Sequence, residues 1–206
     1  MRTLSPGGAV RITGGIWASR KVFGPPPGWP LRPTPDALRE QAFSVLAGEL
    51  SDAVFLDLFA GTGVVSLEAL SRGAARAILV EPHPQALALL RRNLELLGVE
   101  PHRVLVVPKP AEEAVSWLAA RGEKVNILWA DPPFARFAQH LPAVAAVGER
   151  GILVAGGLLV LEHPPKASWE LPGFSPVRAL RGAVLLRFLG KGGGQAEPQG
   201  PASSGW

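Results

Sequence analysis

The chain has 206 residues and an apolar content of 47%, enough for one domain of ordinary size with a true core. It has no cysteine, which excludes a disulfide frame and thiolate metal sites, and no apolar run long enough to span a membrane. Lys and Arg number 21 against 17 acids, and the whole excess falls within residues 1–40, where Arg2, Arg11, Arg20, Lys21, Arg32 and Arg39 face only Asp36 and Glu40.

A basic stretch concentrated in one part of a chain points to a polyanion partner. The alternative is a solvated arm with no partner. The first residues form no apolar leader, so the cytoplasm is the expected location.

Residues 10–23, VRITGGIWASRKVF, read as two short strands around Gly14-Gly15, a hairpin signal. Residues 24–30, GPPPGWP, can be neither helix nor inner strand. In TPDALREQAFSVLAGEL, residues 34–50, Thr34 is the candidate cap and Pro35 the first helical position, with Leu38, Ala42, Val45 and Leu46 at helical spacing. Strands and helices then alternate. Strands are expected at 54–58, 77–80, 104–107, 125–130 and 158–162, and helices at 64–72, 84–97, 111–121 and up to 147. Residues 175–180 and 183–189 flank a short Arg-Gly turn and read as an antiparallel pair. Four strand–helix units predict an α/β chain, a parallel sheet with helices on both faces. Residues 191–206 are low-complexity and read as a disordered tail. The expected organisation is a basic arm and linker over 1–33, a main domain over 34–190, and that tail.

The first strand–helix loop is Asp57-Leu58-Phe59-Ala60-Gly61-Thr62-Gly63. Its glycines allow close approach to the backbone at a helix start, where free N–H groups point outward. The carboxyl edge of a parallel sheet is where such ligands bind. Glu81 ends the next strand, placed to accept hydrogen bonds from both hydroxyls of a ribose. Asp57, just before the glycines, would repel a pyrophosphate but suits an ammonium group. S-adenosylmethionine carries an ammonium, a sulfonium and a ribose, so the two acids fit it better than a dinucleotide. Either acid could instead only satisfy loop N–H groups.

After the fourth strand comes Ala130-Asp131-Pro132-Pro133-Phe134. Two consecutive prolines remove two donors and fix two φ angles. An acid, rigid carbonyls and a flat ring suit a planar group that bears an amine. Taken alone, the stretch could equally be a strand-ending turn.

The order DLFAGTG, VEPHP, DPPF resembles the class I S-adenosylmethionine methyltransferases that modify exocyclic amines. More narrowly, RITGGIWASRKV, LRPTPDALREQAFSVL, FLDLFAGTGVVSLEALSRGA and NILWADPPF are similar to the RsmD family, bacterial 16S rRNA guanine-N2 methyltransferases. The likeness covers residues 10–190. It implies a Rossmann-like, mostly parallel seven-stranded sheet with a reversed last strand, plus the N-terminal hairpin. It implies Asp57, Phe59, Ala60, Gly61, Thr62, Gly63, Glu81, Pro82 and Ala111 around the cofactor, and Asp131, Pro132, Pro133 and Phe134 around the target base. With the basic segment, it makes Arg11, Arg20, Lys21, Arg32, Thr34 and Arg39 the candidate RNA contacts. The implied partner is 16S rRNA or a small-subunit assembly particle, bound by a monomer that needs neither metal nor membrane. One position departs from the pattern. Many such enzymes have Asp-Ala facing the adenine, and here the residues are Pro110-Ala111. Glu112 or Glu113 would have to supply the carboxylate, while the Ala111 N–H can still reach a ring nitrogen.

A guanine amino nitrogen is a poor nucleophile because its lone pair is delocalised into the ring. Two acceptors aimed at its hydrogens, the Asp131 carboxylate and the Pro132 carbonyl, would pull it toward tetrahedral geometry with little reorganisation. Phe134 can stack on a base drawn out of its helix, an interaction worth about 1–3 kcal/mol. Other readings are an N6-adenine or other amino-group methyltransferase on nucleic acid, an NAD-linked oxidoreductase, and a non-catalytic RNA-binding factor. The chain has no Tyr for an oxidoreductase proton relay. Glu162, in LVLEHP, reads as a structural strand-end acid.

Overall fold

The computed structural model describes residues 8–26, 28–29 and 34–190. Arg32, an expected RNA contact, and the tail at 191–206 lie outside the described residues. The chain starts with an antiparallel pair, β1 (Ala9–Arg11) and β2 (Lys21–Phe23), followed by α1 (Asp36–Leu46). Then come β3 (Val54–Asp57), α2 (Val64–Ser71), β4 (Arg76–Val80), α3 (Pro84–Leu97), β5 (Val104–Val107), α4 (Ala111–Ala120), β6 (Val125–Ala130) and α5 (Phe137–Glu149). The chain finishes with β7 (Leu153–Glu162), β8 (Phe174–Leu180) and β9 (Ala183–Phe188).

Strands β3 to β9 form one seven-stranded sheet in the order β5-β4-β3-β6-β7-β9-β8. The strands from β5 across to β7 are parallel, and β9 runs antiparallel to both β7 and β8. This is the expected parallel sheet with a reversed last strand. After β3 the chain builds outward to β5 on one side, then crosses to β6 on the other. The crevice between β3 and β6 is therefore the topological switch point, where ligands of open α/β sheets bind.

Strand alternation divides the apolar side chains between two cores. On one face Phe55, Leu79, Ile127, Trp129 and Val160 pack under α1, α2 and α3. On the other, Leu56, Ile78, Leu128 and Leu159 pack under α4 and α5. Helix α3 shows why the local sequence folds as it does: Pro84 opens it, and Gly98 closes it at φ 65°. Helix α2 is buried on every side, because the N-terminal hairpin covers its outer face.

That hairpin differs from the expected tight Gly-Gly turn. Residues 12–20 connect the two strands, and Gly14–Trp17 close the end of α2. The Ser71 carbonyl accepts the Ile16 N–H at 2.8 Å, and Ser71 Oγ accepts the Trp17 N–H at 2.9 Å while donating to the Gly14 carbonyl at 2.6 Å. Gly15 has φ +79°, and a Cβ there would stand 1.9 Å from the Ser71 carbonyl oxygen. The glycines thus serve close approach to a helix end, whose last carbonyls need donors. Ile12 and Val22 join the main core, each burial contributing about 1.5–3 kcal/mol.

Two expectations at α1 are corrected. Helix α1 begins at Asp36, and Thr34 makes no capping bond; its hydroxyl reaches Glu162 Oε1 at 3.0 Å instead. Arg39 has no exposed surface. It sits in the apolar stripe with Leu38, Ala42 and Phe43, bonded to Glu68, Asp36 and the carbonyls of Thr34 and Arg11. Glu68 also accepts from Arg72 and Thr13.

Candidate functional site

The carboxyl ends of β3, β4, β6 and β7 each carry an acid: Asp57, Glu81, Asp131 and Glu162. A cavity of about 430 Å³ opens at this edge, within the range of small-molecule sites. It is lined by the 57–62 loop, Glu81, Pro82, Pro110, Ala111, Trp129, Asp131 and Pro133, among others.

The glycine loop is held by backbone bonds. Leu58 N–H donates to the Trp129 carbonyl at 3.0 Å, Ala60 N–H to Val80 at 2.9 Å, and Gly63 N–H to Ala60 at 2.7 Å. Gly61 has φ +54°, and a Cβ there would meet nothing within 4 Å, so that side of the loop is open. Gly63, the residue before α2, has φ +81°, and its Cβ would press to 3.2 Å on Leu90. The two glycines therefore do different work, one at the open surface and one against α3. Thr62 is nearly buried, and its carbonyl accepts from Asn93 Nδ2 at 2.9 Å.

Both Glu81 oxygens accept backbone donors, Oε2 from Gly61 at 2.9 Å and Oε1 from His83 at 2.7 Å. Burial pushes its carboxyl up, and those two N–H groups pull it back. Asp57 is buried and accepts from Ser66 Oγ at 2.9 Å. Burial drives its pKa up to about 7, against the Ser66 and Phe59 hydrogen bonds and with help from the charges of Asp131 and Glu81. Pro110 and Ala111 border the cavity at the start of α4. Beside them His140 Nδ1 lies 2.8 Å from Glu112 Oε1, and the His140 ring stands edge-on to Phe59 at 5.1 Å. Burial raises the Glu112 carboxyl, but its own N–H and His140 outweigh that and hold it below the usual range.

Asp131 is half-buried at the cavity, and burial raises its pKa to about 7. Pro132 is buried, Pro133 borders the cavity, and Phe134 is 50% exposed. A single 3-10 turn over Phe134–Arg136 then leads into α5. The stretch is rigid at its root and presents a free ring at its tip.

The candidate RNA contacts scatter. Lys21 is exposed, Arg20 donates to the Leu96 carbonyl at 3.0 Å, and Arg11 lies 3.5 Å from both Asp36 and Glu40. Arg39 and Thr34 are turned inward, so neither presents a side chain to a phosphate. Sequence reasoning passed over Arg136 and His140, which line the cavity. Glu162 is read from sequence as structural, although an acid ending an apolar strand is the same signal that marked Asp57, Glu81 and Asp131. Among the described residues no helix is long and apolar enough to cross a membrane, and no group of three or more His, Asp or Glu could hold a metal.

The Rossmann-like sheet with a reversed last strand is the fold shared by methyltransferase structures, and here it carries a glycine loop at its switch point and an acid–Pro–Pro–Phe turn after β6. A putative methyltransferase of Escherichia coli, yhhF, superposes with a TM-score of 0.76 at 35% identity, over 89% of this chain and all of that one. A hypothetical protein of Thermus thermophilus gives 0.71 at 33%, over 88% and 99%. The chain belongs to the family described as Conserved hypothetical protein 95, whose model matches residues 10–180. It is 44% identical over 133 residues to the ribosomal RNA small subunit methyltransferase D of Escherichia coli K12, a match spanning 64% of each chain. It is 33% identical over 142 residues to the putative rRNA methyltransferase YlbH of Bacillus subtilis, over 68% of this chain and 74% of that one.

Proposed function

We propose that the protein methylates the exocyclic N2 amine of a guanine in 16S rRNA of the small ribosomal subunit, with S-adenosylmethionine as donor. The observation that carries this reading is the cavity that joins the glycine loop and Glu81 to Asp131 and Pro133. S-adenosylmethionine, when bound, supplies an electrophilic methyl group. Phe59 to Gly63, Glu81, Pro82 and Ala111 hold it, with Asp57 under the loop. Gly61 fits this role because its open side leaves the backbone free for contact. Pro110 offers no carboxylate to the adenine, and Glu112 is already engaged by His140, so selectivity there falls to the Ala111 backbone.

The Asp131 carboxylate and the Pro132 carbonyl accept the two hydrogens of the target amine, and Phe134 stacks on the base. The tertiary amides of Pro132 and Pro133 hold these acceptors with little reorganisation. A carboxyl with its pKa near the working pH is also an effective proton acceptor. Arg20 and Lys21 meet the phosphates, and the protein works in the cytoplasm as a monomer on rRNA or a small-subunit assembly particle.

The test is transfer of labelled methyl groups to small subunits and to free 16S rRNA from cells lacking the protein, with the label mapped by nuclease digestion and mass spectrometry. N2-methylguanine at one position is the expected result. Label on adenine, or none on RNA, overturns the reading.

A further inference from the structure

Of the four strand-end acids, Glu162 has no part in the reading above. Register pairs Ala130 of β6 with Leu161 of β7. The next rung sets Asp131 beside Glu162 on neighbouring strands roughly 4.8 Å apart. Alternation puts both on the face that carries Trp129 and Asp57. Glu162 is buried, and its Oε1 accepts from Thr34 Oγ1 at 3.0 Å and from Trp129 Nε1 at 3.3 Å. Thr34 and Trp129 both line the cavity, and Trp129 is fixed by stacking on Phe43 at 5.7 Å. The carboxyl thus braces two walls of the pocket from behind.

The charge around it is one-sided. Asp57 faces it from β3 and Asp131 from β6. On α1 the sole cation is Arg39, which reaches the Thr34 carbonyl, but its charge is met by Glu68 and Asp36. His163, the next residue, has Nδ1 3.1 Å from the Pro164 carbonyl. Among the described residues no ion pair includes Asp57, Asp131 or Glu162. Neighbouring buried carboxylates without a cation cannot both ionise cheaply.

We propose that Glu162 is a positioning residue for the transfer step: braced by Thr34 and Trp129, it stays protonated beside Asp131 and leaves Asp131 as the sole anionic acceptor for the target amine. This rests on the methyltransferase reading and deepens it. When the nitrogen bonds to the donated methyl carbon, the carbon–sulfur pair returns to sulfur and the nitrogen's surplus proton passes to Asp131. A second anion next to Asp131 would draw that proton toward itself and disorder the acceptor. Glu162 is buried whereas Asp131 is only half-buried at the cavity, so the charge is costlier on Glu162. Burial and the charges of Asp131 and Asp57 outweigh the Thr34 and Trp129 hydrogen bonds and push its pKa up to about 8. The arrangement is therefore intact at neutral pH and fails in alkali.

The experiment compares wild type, Glu162→Gln and Glu162→Ala in single-turnover transfer to small-subunit RNA, from about pH 6 to about pH 9, with S-adenosylhomocysteine affinity as control. Gln cannot ionise and can still accept from Thr34, so the Glu162→Gln to wild-type rate ratio should climb severalfold above about pH 8. Glu162→Ala removes the brace and should lose about tenfold at pH 7 while its S-adenosylhomocysteine affinity stays within about threefold. A rate ratio flat across the range, or a Glu162→Ala enzyme at the wild-type rate, overturns the proposal. If Glu162→Ala does not fold, the Gln ratio decides alone. If the wild type itself transfers nothing to RNA, the underlying reading falls too, and that outcome is distinct from a flat ratio in an active enzyme.

Discussion

Arg39 Nε meets Glu68 Oε2 at 3.1 Å with neither side chain exposed. A guanidinium from the most basic stretch of the chain thus ties α1 to α2, and through the carbonyls of Arg11 and Thr34 it also ties the hairpin and the cavity wall. Removing one partner of a buried pair costs about 3–5 kcal/mol. Glu68 keeps Arg72 at 2.8 Å, but the carbonyls of Thr34 and Arg11 lose their donor. Arg39→Ala is expected to lower stability by that order in urea unfolding. The salt dependence of RNA binding by the folded protein is expected to stay as in the wild type.

Arg20 and Lys21 are expected to behave in the opposite way. Both are exposed and make no ion pair among the described residues, whereas Arg11 faces Asp36 and Glu40. Each phosphate neutralised contributes about 0.7–0.9 to the salt slope. Replacing Arg20 and Lys21 together with Ala should flatten the slope of log affinity against log salt by about 1.4–1.8. Arg11→Ala should change it less. An unchanged slope in the double variant would place the phosphate contacts elsewhere.

Glu81→Ala removes the partner of two backbone N–H groups, Gly61 and His83. The glycine loop loses its tether as well as a ligand acceptor. Calorimetry with S-adenosylhomocysteine should register a loss of about 1.5–3 kcal/mol in binding, the scale of hydrogen bonds to a charged group. Undiminished affinity would remove Glu81 from the cofactor site.

Asp131→Ala is expected to separate binding from transfer. Asp131 lines the cavity across from the loop proposed to hold the cofactor, so S-adenosylhomocysteine affinity should persist while single-turnover transfer falls by about 100-fold or more. Transfer at the wild-type rate would refute the role given to the Asp-Pro-Pro-Phe turn.

Asp57 gives a stability signature with pH. Its folded pKa, about 7, lies above the ordinary aspartate value of 3.8. Its protonated form therefore favours folding at low pH, and that contribution is lost as pH rises through about 7. Asp57→Asn stays neutral throughout. The melting temperature of Asp57→Asn should thus gain on the wild type as pH is raised from about 5 to about 8. A difference that stays constant with pH would mean that Asp57 is already ionised in the folded protein at about pH 5, its pKa not raised by burial.

The strand–helix alternation, both ends of α3 and the antiparallel β8–β9 pair were legible because each depends on a local pattern: apolar period, Pro84 at a helix start, Gly98 past its end. What escaped depends on partners far along the chain. Thr34 has the local marks of a cap, but a carboxylate 128 residues away takes its hydroxyl. Gly14-Gly15 has the marks of a two-residue turn, but the end of α2 takes that backbone. Arg39 counts as surface charge until Glu68, 29 residues on, is known to lie opposite. The fifth strand is expected at 158–162, yet β7 begins at Leu153 and runs through Gly156-Gly157. The ladder shifts register between Leu153 and Leu158, and a Cβ on Gly157 would meet the Asn126 carbonyl at 2.9 Å. At the site, the residue types were readable from strand ends, whereas the bracing of one acid by Thr34 and Trp129 needs the tertiary fold.

Asn93 holds β2 by a pair of bonds to the Phe23 backbone, at 2.8 and 2.9 Å, and with the same amide holds the Thr62 carbonyl. Phe23 is made 70 residues before Asn93. A two-stranded ribbon is marginal alone, and the helices that bury Ile12 and Val22 are made later. At the usual rate of synthesis, about 5–20 residues per second, the interval is roughly 4–14 s. The hairpin thus docks only after helices made later than itself, and while it waits its cations and apolar side chains are open to whatever lies near the exit.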